Sequence, residues 1–160
     1  NDPNPVLFFE HKVLYRSLKG AVPKDYYTQE IGKGDLVKKG TDLVIVTYGM
    51  GVHWALEIAR EYGDKVAVLD LKTLLPLDES LIYASVKKVG KALVLHEDNL
   101  TGGIGAEISS LIHTNCFEYL DAPVKRVGSM DIPIPFAKQL EKEFLANSKL
   151  KEALEDLLNY

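Results

Sequence analysis

Short apolar runs alternate with amphipathic stretches along most of this chain. Runs that are apolar throughout, rather than at every second residue, predict strands that are buried on both faces. They lie at residues 42–48, 65–69, 91–95 and 124–127. Between and after these runs, apolar residues recur at helical spacing. They predict helices over about 52–62, 78–90, 104–112, 136–145 and 148–158.

The helix ends carry signals of their own. Asp78 is suited to cap the amino end of the second helix, and Gly90 is suited to end it, because glycine adopts a left-handed backbone at least cost. The alternation of strands and helices predicts an α/β fold with a parallel sheet, helices on both faces and right-handed crossovers. The β-rich segment 6–10 predicts a first strand, at an edge or antiparallel to the others, and residues 11–40 predict irregular structure.

The composition indicates a globular domain and excludes several classes of protein, but it does not indicate a function. The 160 residues are 46% apolar and 26% charged, which is typical of a soluble globular domain. A net charge of −4 leaves no electrostatic footprint for nucleic acid or an anionic membrane. No apolar run approaches the roughly 20 residues that span a bilayer. The one cysteine, Cys116, excludes an internal disulfide and a multi-cysteine metal site, and it favours a reducing compartment.

The chain opens with a turn-rich, proline-bounded segment, and no basic-then-apolar leader is present. We expect this start to be an interdomain linker and the chain to be part of a longer one. The resulting division is a linker and edge segment, residues 1–40, followed by an α/β domain, residues 41–160.

A polar and glycine-rich set follows the third apolar run: His96, Glu97, Thr101, Gly102 and Gly103. We call this set the strand-end rim. In parallel sheets, ligands bind just past the carboxyl ends of the strands, so the rim is the candidate site. Two chemistries fit it. The His-Glu pair could transfer protons, and the glycine turn could bind phosphate at a helix amino end.

Both chemistries have simpler alternatives. Adjacent strand residues point to opposite faces, so the two side chains of the pair need not meet. The dinucleotide and P-loop spacings are absent here and at Gly49-x-Gly51, and glycine at a strand–helix corner also provides close packing. His53 could approach the same rim, whereas His11 and His113 fit surface or packing positions. We assign no catalytic residue and no metal site.

Two proline-containing segments flank the last predicted strand. Asp121 lies in a proline-bounded turn before the last strand, where a carboxylate also serves as an ordinary turn residue. Residues 131–135, Asp-Ile-Pro-Ile-Pro, predict an extended surface loop, because its two prolines prevent regular pairing. Its isoleucines would be exposed unless a partner covers them, so the loop favours an interface and a weak dimer.

Three segments read together are more specific than any one alone. Residues 4–16 contain Asn-Pro-Val, Phe-Glu-His-Lys and Leu-Tyr-Arg; residues 96–108 contain His-Glu-x-x-Leu-Thr-Gly-Gly and Glu-Ile; residues 121–135 contain Asp-Ala-Pro-Val-x-Arg-Val and Asp-x-Pro-x-Pro. In this order and spacing they resemble the beta subunit of the thiamine-diphosphate-dependent decarboxylase of 2-oxo acid dehydrogenase complexes. The resemblance covers nearly all of this chain but only the carboxyl-terminal half of that family's beta chain.

The resemblance implies a transketolase carboxyl-terminal-domain fold, which is a three-layer α/β/α domain with a mostly parallel five-stranded sheet. The motif that begins at His96 is closer to the branched-chain enzymes (3-methyl-2-oxobutanoate dehydrogenase) than to the pyruvate enzymes. In the intact enzyme, thiamine diphosphate and magnesium lie between a pyrophosphate-binding and a pyrimidine-binding module. The pyrimidine module and its catalytic groups would precede residue 1, so we expect no cofactor on this chain alone and no activity from it.

The same resemblance implies the partners of the domain. They are the alpha chain or module, the pyrimidine module, a second beta chain and the basic peripheral-subunit-binding domain of the acyltransferase. The acyltransferase domain would dock on Asp121 and on the carboxylate of Tyr160. Two alternatives stay open: a pyruvate or acetoin dehydrogenase beta-subunit domain, and a free-standing nucleotide-binding α/β domain that uses one of the glycine turns. We expect a protein of the cytoplasm, or of the mitochondrial matrix if the source is eukaryotic.

Overall fold

The computed structural model describes residues 4–5, 7 and 9–160. The strands are β1 (Asp35–Lys38), β2 (Leu43–Thr47), β3 (Val66–Asp70), β4 (Ala92–Asn99) and β5 (Lys125–Ser129). The helices are α1 (Leu14–Ser17), α2 (Met50–Ala59), α3 (Glu79–Val89), α4 (Gly105–Cys116), α5 (Lys138–Phe144) and α6 (Asn147–Leu158). Short 3₁₀ helices follow α2 and α4, at Arg60–Tyr62 and Phe117–Tyr119. No helix in the described part of the chain is long and apolar enough to cross a membrane.

The five strands form one sheet in the order β1-β3-β2-β4-β5. Strands β2 to β5 all run parallel to one another, and β1 pairs antiparallel with β3. The central strand β2 is buried along its whole length, as a parallel strand covered on both faces should be. The predicted α/β class, with a mostly parallel five-stranded sheet, is confirmed.

Side chains that alternate along β2 enter two separate cores. Leu43 and Ile45 pack with α2 and α6, whereas Val44 and Val46 pack with α3 and α4. The period-2 alternation of a strand thus divides one apolar run between the two faces of the sheet. The result is the three-layer α/β/α arrangement expected from the sequence.

The predicted helix ends of α3 are confirmed. The Asp78 carboxylate accepts the backbone N–H of Leu81 at 3.2 Å, and its second oxygen accepts the N–H of Gly34 at 3.2 Å. Asp78 therefore caps the helix and also holds the segment that leads into β1. Gly90 ends the helix with a left-handed backbone, φ +75°.

The first strand was predicted wrongly. Two positions of the predicted strand 6–10 lie outside the described residues, and its described members are not in a strand. The antiparallel edge strand is instead β1, inside the segment 11–40 that was predicted to be irregular. Its four residues alternate between exposed and half-buried, a weak signal typical of a short edge strand. The same segment also contains the short helix α1.

The third predicted strand is longer than expected. The apolar run ends at Leu95, but β4 continues to Asn99, with an irregular register against β5 between these two residues. His96 and Glu97 therefore belong to the strand itself rather than to a loop beyond it. This bulged end of β4 positions the rim.

Candidate functional site

His96 lies at the centre of the strand-end rim and is fully buried. Its Nδ1 lies 3.0 Å from the backbone oxygen of Asp98. A carbonyl oxygen only accepts hydrogen bonds, so Nδ1 carries the proton and Nε2 presents a lone pair. Nε2 has no hydrogen-bond partner within the described residues. The imidazole is therefore held in one tautomer.

Three glycines surround the His96 ring. A Cβ atom on Gly103 would lie 2.7 Å from Cε1, one on Gly105 would lie 2.5 Å from Cδ2, and one on Gly128 would lie 2.8 Å from Cε1. Real side chains do not approach so closely, so each position requires glycine for space. We call these three residues the glycine cage. The close-packing alternative thus explains two glycines of the Gly102-Gly103-x-Gly105 turn.

The environment of His96 keeps the imidazole neutral. Burial lowers the pKa of His96 below its ordinary value, opposed in part by the backbone oxygen and the negative charge of Asp98. In the unfolded chain the group titrates near its ordinary value of about 6.5. As the pH falls below that value, the unfolded state binds a proton that the folded state does not, so His96 reduces the free energy of unfolding. This loss of stability is absent above the unfolded pKa, where His96 is neutral in both states.

Glu97 faces away from His96 and meets a different histidine. Its Oε2 lies 2.9 Å from Nε2 of His11, and both side chains are partly exposed. The predicted proton-transfer pair of adjacent residues therefore does not form, as the alternating directions of strand side chains require. His11, which we placed among surface or packing residues, instead fastens the amino-terminal segment to the rim. Sequence offered one hint, since His11 lies in the motif of residues 4–16.

Thr101 joins the rim to the loop that follows β5. Its backbone N–H donates to Oδ1 of Asp131 at 2.9 Å, and its hydroxyl donates to Oδ2 at 2.7 Å. The N–H of Thr101, followed by its hydroxyl, holds the pKa of the Asp131 carboxyl below its ordinary value. Beyond this anchor, Ile132 and Ile134 are 45% and 68% exposed, so the expected exposure of the loop is confirmed.

An acidic recess of about 440 Å³ opens beside the rim. Its wall includes Tyr48, Glu97, Asp98 and Glu141. Burial, followed by the charges of Asp98 and Glu97, raises the pKa of the Tyr48 hydroxyl. Among the described residues, no three His, Cys, Asp or Glu side chains are grouped so that they could hold a metal ion. The carboxylates in its wall would attract a cation and repel a phosphate. The recess therefore does not suit the phosphate-binding role considered for the glycine turn.

The second glycine turn also serves packing. A Cβ on Gly51 would collide with the buried hydroxyl oxygen of Thr47, so α2 begins directly against the end of β2. His53 lies within α2 and is only partly buried, and it does not line the acidic recess. The suggestion that His53 approaches the rim gains no support from this arrangement.

Asp121 and Tyr160 lie together at the other end of the sheet. Both line a surface groove of about 370 Å³, together with His113, Phe117, Leu120, Ala122 and Pro123. Asp121 directly precedes β5, and its N–H donates to the oxygen of Gly90, just before β4, at 2.8 Å. The groove is thus at the amino ends of the parallel strands, away from the rim. His113, which we placed on the surface or in packing, lies in its wall.

Comparison with known proteins assigns a family. A family model described as "Transketolase, C-terminal domain" matches residues 32–149. From Bacillus subtilis (strain 168), 2-oxoisovalerate dehydrogenase subunit beta is 42% identical over 99% of this chain and 50% of its own length. Pyruvate dehydrogenase E1 component subunit beta of the same organism is 44% identical over 92% of this chain and 46% of its own. The chain spans about half the length of the curated relatives it matches.

A solved structure gives the same assignment from geometry. A protein titled "Split gene transketolase, inactive beta4 tetramer" superposes with a TM-score of 0.68 at 26% identity, over 86% of this chain and 46% of its own. The similar identities to the 2-oxoisovalerate and pyruvate relatives do not separate the two substrates.

The glycine cage generates a stability prediction. Gly105→Ala should lower the free energy of unfolding by about 1–3 kcal/mol, because the new methyl group overpacks the His96 ring. Gly20→Ala is the matched control, since a Cβ there meets nothing within 4 Å. Urea denaturation measures both changes.

A double-mutant cycle checks the cause. In a His96→Ala background, Gly105→Ala should cost clearly less than in the wild-type chain, because the colliding ring is gone. An equal cost in the two backgrounds would mean that Gly105 is required for a reason other than the imidazole.

Proposed function

This chain belongs to the transketolase C-terminal domain family, and on that premise we propose that it is the subunit-pairing and partner-docking domain of a 2-oxo acid dehydrogenase decarboxylase. The parent enzyme would oxidatively decarboxylate a 2-oxo acid and reductively acylate a lipoyl group. The observation that carries the proposal is the shared groove of Asp121 and Tyr160. The family resemblance assigns both residues to docking, and although they are 39 positions apart in the sequence they line the same surface groove.

Decarboxylation and acyl transfer would be carried out by other parts of the parent enzyme. His96, the one buried histidine, is enclosed by the glycine cage and kept neutral, so it has no access to a substrate. Glu97 is paired with His11 rather than with a reacting group. A general acid or base must reach the proton that it transfers, and neither arrangement provides that reach. We therefore assign no catalytic residue to this chain.

Thiamine diphosphate and magnesium would belong to the intact enzyme. The residues described here do not fit the diphosphate group: Gly103 and Gly105 are filled by the His96 ring, and carboxylates line the adjoining recess. No grouped set of metal-binding side chains is found among the described residues. We therefore expect thiamine diphosphate to bind to the intact enzyme and not to this chain alone.

For the substrate, we propose the branched-chain acid 3-methyl-2-oxobutanoate. The motif His-Glu-x-x-Leu-Thr-Gly-Gly that begins at His96 favours it, and so does the match over 99% of this chain to a 2-oxoisovalerate dehydrogenase beta subunit. The alternatives are pyruvate and acetoin, because beta subunits of enzymes named for each are also relatives. The partners would be an alpha chain or module, the pyrimidine module, a second beta chain and the acyltransferase.

Docking of the acyltransferase can be tested by calorimetry with its basic peripheral-subunit-binding domain. Asp121→Asn should weaken binding at least about tenfold, because it removes a negative charge that meets the partner's cations. Deletion of Tyr160 should have an effect in the same direction, because it moves the terminal carboxylate one residue back and takes the tyrosine ring out of the groove. Asp64→Asn is the matched control: it is an exposed carboxylate just before β3, at the same end of the sheet but outside the groove.

The affinity of the wild-type chain for the partner domain should also fall as the salt concentration rises, since exposed charge pairs weaken with ionic strength. Wild-type affinity in both groove variants, or an equal loss in the Asp64 variant, would contradict the docking role of Asp121 and Tyr160.

A thermal-shift experiment separates this proposal from the alternative of a free-standing nucleotide-binding domain. A ligand at about 100 times its dissociation constant stabilises the folded state by about 2.7 kcal/mol. We expect no shift of the melting temperature with ATP, NAD, or thiamine diphosphate plus magnesium. A clear rise with a nucleotide would favour the alternative, and a rise with thiamine diphosphate would contradict the expectation that this chain alone does not bind it.

A further inference from the structure

His113 lies in the wall of the Asp121 and Tyr160 groove and presents a hydrogen-bond acceptor. It is partly buried on α4, and its Nδ1 lies 2.8 Å from the backbone oxygen of Ser109, one turn earlier in the helix. A carbonyl oxygen only accepts hydrogen bonds, so Nδ1 carries the proton of the neutral ring and Nε2 is left as an acceptor. No contact within the described residues occupies Nε2. The neutral imidazole therefore has an acceptor available for a partner.

The Asp121 carboxylate in the same wall lies where a cation is favoured. A Cβ atom on Gly90 would collide with Oδ2 of Asp121, so this carboxylate packs against the backbone at the carboxyl end of α3. That end of a helix carries partial negative charge and favours cations. Among the described residues, Asp121 forms no ion pair. A cation from another molecule would therefore be stabilised here.

The rest of the wall adds no cation from the described part of the chain. Its apolar members are Phe117, Leu120, Ala122 and Pro123. Helix α3 packs against α4 but contributes no described residue to the wall, and its Lys87 lies over the Tyr119 ring instead, 4.9 Å from the ring centroid. The charged groups that share the groove with His113 are therefore Asp121, before β5, and the carboxylate of Tyr160, after α6.

We propose that His113 is a third acceptor of the Asp121 and Tyr160 groove and that its protonation releases the basic partner. In the neutral state, Nε2 accepts an N–H of an arginine or lysine side chain that also contacts Asp121. The guanidinium of arginine suits this arrangement, because it presents five donors in one plane. When Nε2 is protonated it becomes a donor and the ring gains a positive charge, so it repels the same cation. The inference rests on the proposed docking function and names a residue that regulates it.

Calorimetry with the basic peripheral-subunit-binding domain tests this role through its dependence on pH. Histidine ordinarily changes charge between about pH 5 and 8, so docking to the wild-type chain should weaken at least about fivefold from about pH 8 to about pH 5.5. His113→Gln keeps a hydrogen-bond acceptor but cannot gain a charge, so this loss should disappear. His53→Gln is the matched control: His53 is also a partly buried histidine on a helix, α2, but lies outside the groove. Its variant should keep the full pH dependence, and circular dichroism checks that each chain is folded at both pH values.

Proton release gives a second readout that needs no strongly acidic solution. At about pH 6.5, where histidine side chains are ordinarily part protonated, docking should release protons from the wild-type chain. Calorimetry in two buffers of different ionisation enthalpy measures this release, which should be clearly smaller for His113→Gln. His113→Leu removes the acceptor as well, so at about pH 8 it should bind the partner domain at least about threefold more weakly than His113→Gln does.

The outcomes separate this inference from the proposed function. A pH dependence that His113→Gln removes and His53→Gln keeps supports the inference. Docking that does not change with pH, or that stays equally pH-dependent in His113→Gln, overturns the regulatory role of His113 while leaving a docking domain in place. Equal binding by His113→Gln and His113→Leu overturns its role as an acceptor. A wild-type chain that does not dock at any pH overturns both the inference and the docking part of the proposed function.

Discussion

The structure depends on the packing of one neutral imidazole among three glycines. His96 is completely buried at the end of β4, and the glycine cage brings the start of α4 and the strand β5 against its ring. Its hydrogen bond to the oxygen of Asp98 fixes the bulged strand end from which Glu97 and Asp98 project. A larger residue at any cage position would separate these elements, because protein interiors close to crystalline density leave no space for it.

This constraint explains why the two ends of the sheet differ in shape and charge. At the carboxyl ends, the space that a parallel α/β fold offers to a ligand is filled by the His96 ring and bordered by carboxylates. At the amino ends, the Asp121 and Tyr160 groove is open. The open groove therefore lies away from the carboxyl ends of the strands, where parallel α/β folds commonly bind ligands.

Sequence predicted the layered sheet because four apolar runs and their amphipathic neighbours are strong, independent signals. It also predicted both ends of α3, where Asp78 and Gly90 have conformational roles that residue type alone decides. It missed β1, since an exposed four-residue edge strand is stabilised by its partner β3 rather than by its own pattern. The contact of His11 with Glu97 was equally hidden, because 86 residues separate them and only the fold brings them together.

The most direct test of this account is an NMR titration of the His96 imidazole nitrogens between about pH 5 and 8, the range in which histidine ordinarily changes charge. We expect Nδ1 to carry the proton of the neutral ring and Nε2 to gain its proton only at a pH below the ordinary pKa of about 6.5. Protonation near that value, or a proton on Nε2 of the neutral ring, would contradict this expectation. The rim would then contain a titrating histidine, and His96 would again be a candidate for proton transfer.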